Sequence, residues 1–479
     1  MSLLDLPDEI LAAVAEQLVP ELPVALGSYK DEFDNYPFQS GRLALLSLVQ
    51  ANRRLNAIVT HYLYHTICIG DLKILFKLLR TFIRAPHLAA HVRVLAVVAS
   101  LFDTLDDPTE SNAEPMFANI TVSSSIYSHL ERCFGEFEQP CEIIWSKYDA
   151  YVESNCALVL CLTTNLHTLY MHCPNWNVGS YDDLMDIFQS YHNEGVVDFL
   201  PRLSRLCLIA DPEVSNPLLP DETPQVYMGS GGIKRLELFG ANLFQEDVGF
   251  LADAWRDVET IHIEYACTTG AWWYRFCNEA RPRLKDIDVS ISPYFAERGD
   301  GGASGFNEAL QLCTDTLKHL RLGIDVMPHY MSHLGPAKRL SCLTSMKTLS
   351  DLEVSVTVLF KSPTAMRRGD ICDTLPPSLE RLRLSEEIVW GPWSDTGGTE
   401  LQVPDEEYTE LIKGALLQLA FDSSSRLPRL EAVHATVNNW HWNGGGPEFD
   451  AISTVERCGS TTTVSFAPKQ SRKLSASRS

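Results

Sequence analysis

The sequence lacks any uninterrupted apolar run of the ~18 or more residues that a membrane-spanning helix requires. It also has far fewer basic than acidic residues, since 39 Lys and Arg stand against 62 Asp and Glu and leave a formal net charge of −23. Nucleic acids and anionic membranes are bound by clustered Lys and Arg, so this balance argues against both kinds of partner. An apolar fraction of 45% with 21% charged residues is typical of a folded protein and excludes a largely disordered chain.

The N-terminus also lacks the features of a secretory signal. Asp5, Asp8 and Glu9 occupy the positions where a signal peptide carries basic and then apolar residues. The thirteen cysteines are an odd number and are scattered along the chain, so we expect reduced thiols packed in the core. We therefore expect a cytoplasmic or nuclear protein, with no choice between the two compartments.

Catalytic and cofactor motifs are missing as well. There is no Walker loop and no Gly-x-Ser-x-Gly elbow, and Gly229-Ser230-Gly231-Gly232 lacks the third glycine of a dinucleotide loop. The densest group of Cys and His fits no common zinc spacing; its members are Cys156, Cys161, His167, His172 and Cys173. We expect no catalytic residue, no cofactor and no metal, and hence not an enzyme. A deep pocket holding several groups of perturbed pKa would reopen that question.

The first seventy residues carry four short apolar blocks. Leu6-Pro7-x-Glu9-Ile10-Leu11 opens a predicted helix in which Ile10 and Val14 share one face. Three short helices cannot bury so much apolar surface among themselves, so we expect this segment to pack on the rest of the chain or on a partner. The later blocks are Leu46-Ser47-Leu48-Val49, Asn52-Arg53-Arg54-Leu55 and Leu63-Tyr64-His65-Thr66-Ile67.

A second pattern, apolar-x-x-apolar-x-apolar, recurs along the rest of the chain. Between Leu203 and Leu379 its copies start 25 to 33 residues apart. Alternate side chains of a strand face opposite sides, so the fourth and sixth positions point inward and the third and fifth point to solvent. The ten copies begin at Val92, Leu166, Leu203, Ile233, Val258, Leu284, Leu317, Leu349, Leu379 and Leu430.

Amphipathic helix segments lie between the predicted strands, and one of them places Phe306, Ala309, Leu310 and Cys313 on a single face. Repeated strands and helices predict an α/β solenoid in which each unit buries its apolar face on its neighbours. The alternative is a doubly wound α/β domain, whose buried strands read as continuous apolar runs. The long step from the first to the second motif copy leaves open either a missed repeat or an insertion.

The third and fifth motif positions would line one concave surface, and they are the candidate target-binding residues. Their charge alternates in basic and acidic blocks, which suits recognition of another protein, although a merely solvated face is the alternative for any one residue. Trp272-Trp273-Tyr274 offers either a partner contact or core packing, and core packing is favoured. The candidates are Tyr170, Arg205, Arg235, Glu237, His262, Asp286, Asp288, Arg321, Glu353, Arg381 and Arg383.

The N-terminal blocks resemble the F-box motif of many fungal proteins, and the later motif resembles an irregular leucine-rich-repeat array. The resemblance implies an α/β fold, with an N-terminal three-helix F-box followed by an irregular leucine-rich-repeat-like solenoid. We expect an F-box at 1–70, a linker helix at 71–90 and the solenoid at 91–445. The basic, serine-rich segment at 446–479 has no periodicity, and we expect a disordered tail there.

The resemblance also implies a function, that of a substrate-recognition adaptor of an SCF-type cullin-RING ubiquitin ligase. The F-box would bind the Skp adaptor subunit, and through it the cullin, while the repeats hold an unknown protein target. The alternative is a stand-alone solenoid interaction protein, without a ligase role, whose N-terminal helices only cap the array. By motif position, the adaptor contact or its support would come from Leu6, Pro7, Ile10, Val14, Leu48, Val49 and Leu55.

Overall fold

The fold is described from a computed structural model of the chain. Two compact units divide it, a first unit of residues 1–241 with 249–254 and a second unit of residues 242–248 with 255–479. Their boundary lies inside the segment that the sequence predicts as one array. The structure describes residues 5–20, 36–98, 155–156, 158–173, 200–210, 232–239, 242–243, 255–268, 270–291, 303–324, 340–354, 359, 371–390, 414–415, 418–419, 425–441, 451–458 and 461–468.

The first unit begins with three helices: α1 (Asp8–Gln17), α2 (Tyr36–Ala51) and α3 (Arg53–Leu63). They pack around Ala15, Leu45 and Val59, each at most 1% exposed. Gly41 allows the close approach of α2 to the end of α1, because a Cβ atom there would lie 2.7 Å from the carbonyl oxygen of Leu18. Any side chain at this position would therefore push the two helices apart.

The Asn52-Arg53-Arg54-Leu55 block fixes α3 against α1. The side-chain oxygen of Asn52 accepts a hydrogen bond of 2.9 Å from the backbone N–H of Leu55 and so caps the first turn of α3. Arg54 reaches α1, where its Nε donates to Asp8 at 2.7 Å and its Nη2 donates to the carbonyl oxygen of Leu6 at 2.8 Å. The Asn52 and Arg54 side chains of this block therefore stabilise the helices themselves, whether or not a partner is bound.

A parallel sheet follows these helices in the first unit. The segment predicted as a linker helix contains α4 (Leu72–Arg84) and the short α5 (Pro86–Ala89). Asp71 caps α4, since its carboxylate accepts a 2.6 Å hydrogen bond from the N–H of Ile74. Five strands pair in parallel in chain order: β1 (Thr66–Ile69), β2 (Val94–Val97), β3 (Thr168–Cys173), β4 (Arg205–Ala210) and β5 (Arg235–Phe239).

The second unit repeats this arrangement. After β6 (Asn242–Leu243), which pairs with β7, six strands pair in parallel in chain order. These are β7 (Thr260–Thr268), β8 (Asp286–Ile291), β9 (His319–Ile324), β10 (Asp351–Val354), β11 (Arg381–Trp390) and β12 (Ala432–His441). Antiparallel β13 (Ala451–Cys458) and β14 (Thr461–Pro468) extend the sheet beyond β12. The helices α6 (Gly270–Ala280) and α7 (Ala303–Gln311) follow β7 and β8.

The described residues therefore form an α/β fold with eleven parallel strands, arranged in chain order within each unit, which is consistent with a solenoid. A doubly wound domain would reverse its strand order at a switch point, so this order argues against that alternative. Strands β2 and β3 are neighbours in direct register. The long step between the motif copies at Val92 and Leu166 is thus an insertion and not a missed repeat.

The ten motif copies all become strands that begin two residues after the first apolar position. The apolar positions are buried, as in the copy of Leu284, Ile287 and Val289, where each residue is at most 1% exposed. The same pattern is already present at Tyr64-x-x-Ile67-x-Ile69, which precedes the first copy counted from the sequence and forms β1.

Two predicted boundaries need correction. The predicted F-box at 1–70 includes residues 66–69, which form strand β1 of the sheet, so the helical module ends at Leu63. The predicted disordered tail contains β13 and β14, whose many Thr and Val residues favour strands. Residues 469–479 lie outside the described part of the chain.

The aromatic run at the start of α6 is mostly core. Trp272 and Trp273 are at most 2% exposed, and their rings contact those of Trp255 and Phe276. Tyr274 is the exception, at 46% exposed. Eight cysteines of the described residues are buried thiols. Within those same residues, no helix combines the length and apolar character needed to cross a bilayer.

Candidate functional site

The first candidate site is an apolar surface on α1 and α2. Ile10 and Val14 on α1 are 48% and 42% exposed, and Leu43 and Leu46 on α2 are 61% and 38% exposed. The fifth exposed large apolar side chain among the described residues is Tyr274. Four of five such side chains therefore belong to α1 and α2, and we call these four residues the apolar surface.

The seven predicted adaptor-contact residues take three different positions. Pro7, Ile10 and Val14 are exposed, and Leu6 is half-buried. Leu48 and Val49 are half-buried and pack against the core of the three helices. Leu55 is 3% exposed, so it supports the helices from within and offers no contact surface.

The sequence prediction missed Leu43 and Leu46. A signal for them exists, because residues three apart on a helix lie on the same side. Leu45 between them is 1% exposed and belongs to the core. Helix α2 therefore has apolar residues on two faces, with Leu45 buried on the inner face and Leu43 and Leu46 exposed on the other.

The second candidate site is the outward face of the strands in the second unit. Strand register brings the third and fifth motif positions into two lateral rows. The third-position row contains Thr260, Asp286, His319, Asp351 and Arg381. The fifth-position row contains His262, Asp288, Arg321, Glu353 and Arg383.

Each acid of the third-position row is shared between two neighbouring strands. Asp286 accepts a hydrogen bond from the hydroxyl of Thr260 at 3.0 Å and lies 3.6 Å from Nε2 of His319. Asp351 lies 3.0 Å from Nδ1 of His319 and also pairs with Arg381. The two acids of this row therefore link each strand to its neighbours through polar contacts.

The fifth-position row follows the same rule. Asp288 lies 2.9 Å from Nδ1 of His262 and 3.5 Å from Nη1 of Arg321. Glu353 lies 3.1 Å from Nε of Arg321 and 3.4 Å from Nη1 of Arg383. The Arg321 and Arg383 side chains are 55% and 62% exposed, against 33% and 23% for the two acids. The arginines thus form the outer layer of this face.

The environment of His262 keeps its imidazole charged. Burial alone would lower its pKa, but hydrogen bonds to Asp288 and to Glu264, the latter at 3.4 Å, raise the pKa to about 9. The pKa of Asp288 is lowered, because the hydrogen bond and charge of His262 and the charge of Arg321 outweigh the opposing effect of burial. Three neighbouring strands are therefore joined by groups that are ionised at neutral pH.

The corresponding face of the first unit is different. Glu237 is 3% exposed and accepts hydrogen bonds from Nη2 of Arg205 at 2.9 Å and from Nε of Arg235. The guanidinium of Arg205 also lies over the ring of Tyr170, 5.1 Å from its centroid. One arginine thus connects a buried acid with a buried phenol ring.

Burial dominates the electrostatics of this group. It raises the pKa of Tyr170 to about 12, although the charge of Arg205 opposes the shift. It also raises the pKa of the Cys207 thiol well above the usual value, with Glu237 adding to the shift. The buried Nε of Arg205 has no hydrogen-bond partner, so the charge of Arg205 depends on the carboxylate of Glu237.

Two predicted target-binding residues, Tyr170 and Glu237, are therefore not solvent-facing. Tyr170 belongs to an apolar cluster formed by the outward positions of the first unit, and Glu237 is enclosed by its two arginines. Arg235 remains 46% exposed and Arg205 25%. The members of the apolar cluster are Cys68, Ala96, Val98, Tyr170, Cys207, Ile209 and Phe239.

A histidine cluster lies where the first three strands begin. The rings of His61 and His91 are 6.0 Å apart, and Nη1 of Arg93 lies 3.3 Å from Nε2 of His167. Burial lowers the pKa of His65, and the charges of Arg93, His167 and His61 lower it further, against a small opposing effect of Glu16. Burial likewise lowers the pKa of the other three histidines.

Both surfaces consist of side chains that contact one another or solvent. Among the described residues, no group of three or more His, Cys, Asp or Glu side chains is placed to hold a metal ion. The polar groups of the strand faces are engaged in ion pairs with one another, an arrangement suited to contact with another macromolecule. No protein-family model matches the chain, and no curated protein matches it significantly.

Proposed function

We propose that the chain is a substrate-recognition adaptor of an SCF-type cullin-RING ubiquitin ligase. In this proposal the helices α1 to α3 bind the Skp adaptor subunit, and the outward strand faces bind a protein target. The four N-terminal sequence blocks support the first part. The observation that carries it is the apolar surface, which holds four of the five large apolar side chains exposed among the described residues.

The apolar surface supports a partner contact for a simple physical reason. Burying a large aliphatic side chain is worth about 1.5–3 kcal/mol relative to leaving it in water. The chain leaves Ile10, Val14, Leu43 and Leu46 in water, although their neighbours on the same helices are buried. A protein partner that covers these four residues would recover that free energy.

In this role the chain would act by proximity. It would hold a target close to the ubiquitin-charged enzyme, which raises the effective concentration of the target at the site of transfer. The chemistry of transfer would belong to the other subunits. The described residues of the outward strand face would contribute recognition, with Arg321, Arg381 and Arg383 as its most exposed charged groups.

The test is co-purification with the Skp adaptor subunit. Pro7→Ala combined with Ile10→Asp places a charge within the proposed contact, and we expect it to abolish capture of the adaptor. The matched control is Tyr274→Asp, which introduces the same charge at the exposed apolar position of the second unit and should leave capture unchanged. Leu43→Asp extends the test to α2 and should weaken capture as well.

Normal capture of the Skp adaptor by the double variant would contradict the proposed contact. Far-ultraviolet circular dichroism and thermal melting of each variant distinguish lost binding from lost folding. The substituted side chains are exposed, so the melting temperature should change little.

The second candidate function is a stand-alone solenoid interaction protein, and one observation favours it. Strand β1 follows α3 directly and pairs with β2, and the ring of Tyr64 packs near that of Phe82 on α4 at a centroid distance of 6.4 Å. The helices are thus joined closely to the sheet, as a cap would be. Deletion of residues 1–63, which leaves β1 in place, separates the two functions. A cap deletion should make the remaining chain insoluble, whereas removal of an F-box module should leave it folded.

A further inference from the structure

The two rows of the second unit obey a rule of charge alternation. Cationic, acidic, cationic, acidic and cationic groups follow on β7, β8, β9, β10 and β11 in the fifth-position row. In the third-position row, the acids Asp286 and Asp351 alternate with His319 and Arg381 from β8 to β11. Inside the rows, Arg321 has an acid on each side, Asp288 and Glu353. Such a cation is fully compensated by its own sheet.

The alternation stops at β12. The two positions in register with Arg381 and Arg383 carry Ala432 and His434, where the rule requires acids. Ala432 is half-buried and small, and His434 is exposed. Of the two strands that pair with β11, only β10 therefore places an acid beside each arginine.

The two acids that pair with the arginines of β11 also pair with residues of β9. Asp351 pairs with His319 as well as Arg381, and Glu353 pairs with Arg321 as well as Arg383. The Arg381 and Arg383 side chains remain 54% and 62% exposed. The two exposed guanidinium groups therefore lie side by side at this one end of the described face.

We infer that this end of the rows binds an extended acidic segment of the target protein, whose carboxylates take the places left by Ala432 and His434. The inference rests on the proposed function, in which this face holds the target. Arg381 and Arg383 are two residues apart on one strand, about 6.7 Å along it. Alternate side chains of an extended peptide have the same spacing, so two carboxylates separated by one residue match the two guanidinium groups.

A basic segment fits this face less well. Each acid of β8 and β10 is flanked by two donors, and the arginines lie outside the acids. A basic ligand would meet these arginines before it reached any carboxylate. The net charge of −23 repels acidic ligands in general, so binding of an acidic peptide would report a local cationic site.

The first test uses the full chain and a short fluorescent peptide in which glutamate alternates with serine. Fluorescence anisotropy should show binding that weakens as salt is added, with no binding of the counterpart that carries glutamine in place of glutamate. Arg381→Gln with Arg383→Gln should weaken binding about tenfold, the combined loss of two exposed ion pairs. Arg275→Gln with Arg281→Gln removes the same charge from exposed positions on and just after α6 and should have no effect.

The second test keeps every arginine and supplies the missing acid. Ala432→Glu should complete the third-position row and block the peptide, whereas Ala432→Gln adds the same bulk without charge and should block it much less. Equal affinity of the two Ala432 variants, or unchanged affinity of the Arg381 and Arg383 variant, would overturn the inference. Strand register also places Glu456 of β13 next to Ala432. Binding seen only after Glu456→Gln would overturn it too, because the chain would then supply its own acid.

Capture of the Skp adaptor by the same variants distinguishes a failure of this inference from a failure of the proposed function. All the arginine and Ala432 variants should capture the adaptor like the unaltered chain, because the substitutions lie in the second unit. Failure of the unaltered chain to capture the Skp adaptor would refute the ligase role. It would not affect the result of the peptide-binding test.

Discussion

The outward strand faces of the two units differ at the same motif positions, which are buried in the first unit and charged and partly exposed in the second. In the first unit the fifth positions Cys68, Ala96, Tyr170, Cys207 and Glu237 are at most 9% exposed. In the second unit the same positions form a row of ion pairs with side chains 22% to 62% exposed. The apolar positions of the motif fix strand and register in both units. In the first unit the apolar residues at the fifth positions belong to an apolar cluster that also includes Val98, Ile209 and Phe239, whereas in the second unit the fifth positions belong to a charged surface.

The largest expected effect comes from placing an acid on the buried outward face of the first unit. Cys207→Asp puts a carboxylate at a position that is fully buried and close to Glu237. We expect a loss of more than about 4 kcal/mol in the free energy of unfolding of the first unit. Urea unfolding measures it, with Cys207→Ala as the control for lost volume at about 1 kcal/mol. An unfolding midpoint equal to that of the alanine variant would contradict a buried apolar face.

The next comparison removes one equivalent acid from each unit. Glu237→Gln leaves Arg205 without its carboxylate in a buried setting, so we expect a loss of about 3 kcal/mol. Glu353→Gln removes an acid from between two exposed arginines, where the loss should be about 1 kcal/mol or less. Urea midpoints of the two variants give the comparison directly. Equal losses would mean that the two faces do not differ in the way their burial indicates.

Alkaline pH should lower the stability of the second unit, because His262 loses its proton. The folded pKa of about 9 lies above the usual value of 6.5, so the protonated ring stabilises the fold fully below pH 6.5. This stabilisation is lost as the pH rises through about 9, and it amounts to at most about 3 kcal/mol. Unfolding of the unaltered chain and of His262→Gln between pH 6 and about 10 should therefore converge as the pH rises. A constant difference across that range would contradict the ion-pair role of His262.

Acidic pH should destabilise the first unit, and we expect this change in stability to be the smallest of the four. The pKa of His65 is lowered by burial and by Arg93, so its protonation is disfavoured in the folded state. Stability is present above the unfolded pKa of 6.5 and falls as the pH drops below it. His65→Gln cannot take up the proton, and its unfolding midpoint should fall less between pH 7 and about 5 than that of the unaltered chain. A larger fall in the variant would contradict the assignment.

Much of the fold follows from the sequence because strand formation depends on local periodicity. All ten motif copies form strands, and Leu284, Ile287 and Val289 show why, since one alternating pattern fixes both the strand and its buried side. The two-sided burial of the first unit was missed, although Leu206-Cys207-Leu208-Ile209 is a continuous apolar run of the kind found in strands covered on both faces.

The sites are less accessible from sequence because they depend on which side of an element is covered. Leu45 and Leu46 are adjacent and equally apolar, yet one is in the core and the other is exposed. The pairing of Asp351 with both His319 and Arg381 likewise requires strand register across three segments. Glu237 occupies a fifth motif position, which predicts a solvent-facing side chain, and its ion pairs with Arg205 and Arg235 accompany its burial.

The central claim is that the helices α1 to α3 connect this chain to a ubiquitin ligase. The most direct measurement is affinity purification of the full chain from cells followed by mass spectrometry, alongside the Pro7→Ala and Ile10→Asp double variant. We predict that the Skp adaptor and a cullin co-purify with the unaltered chain and are lost from the variant. Absence of both proteins from the unaltered, folded chain would contradict the claim.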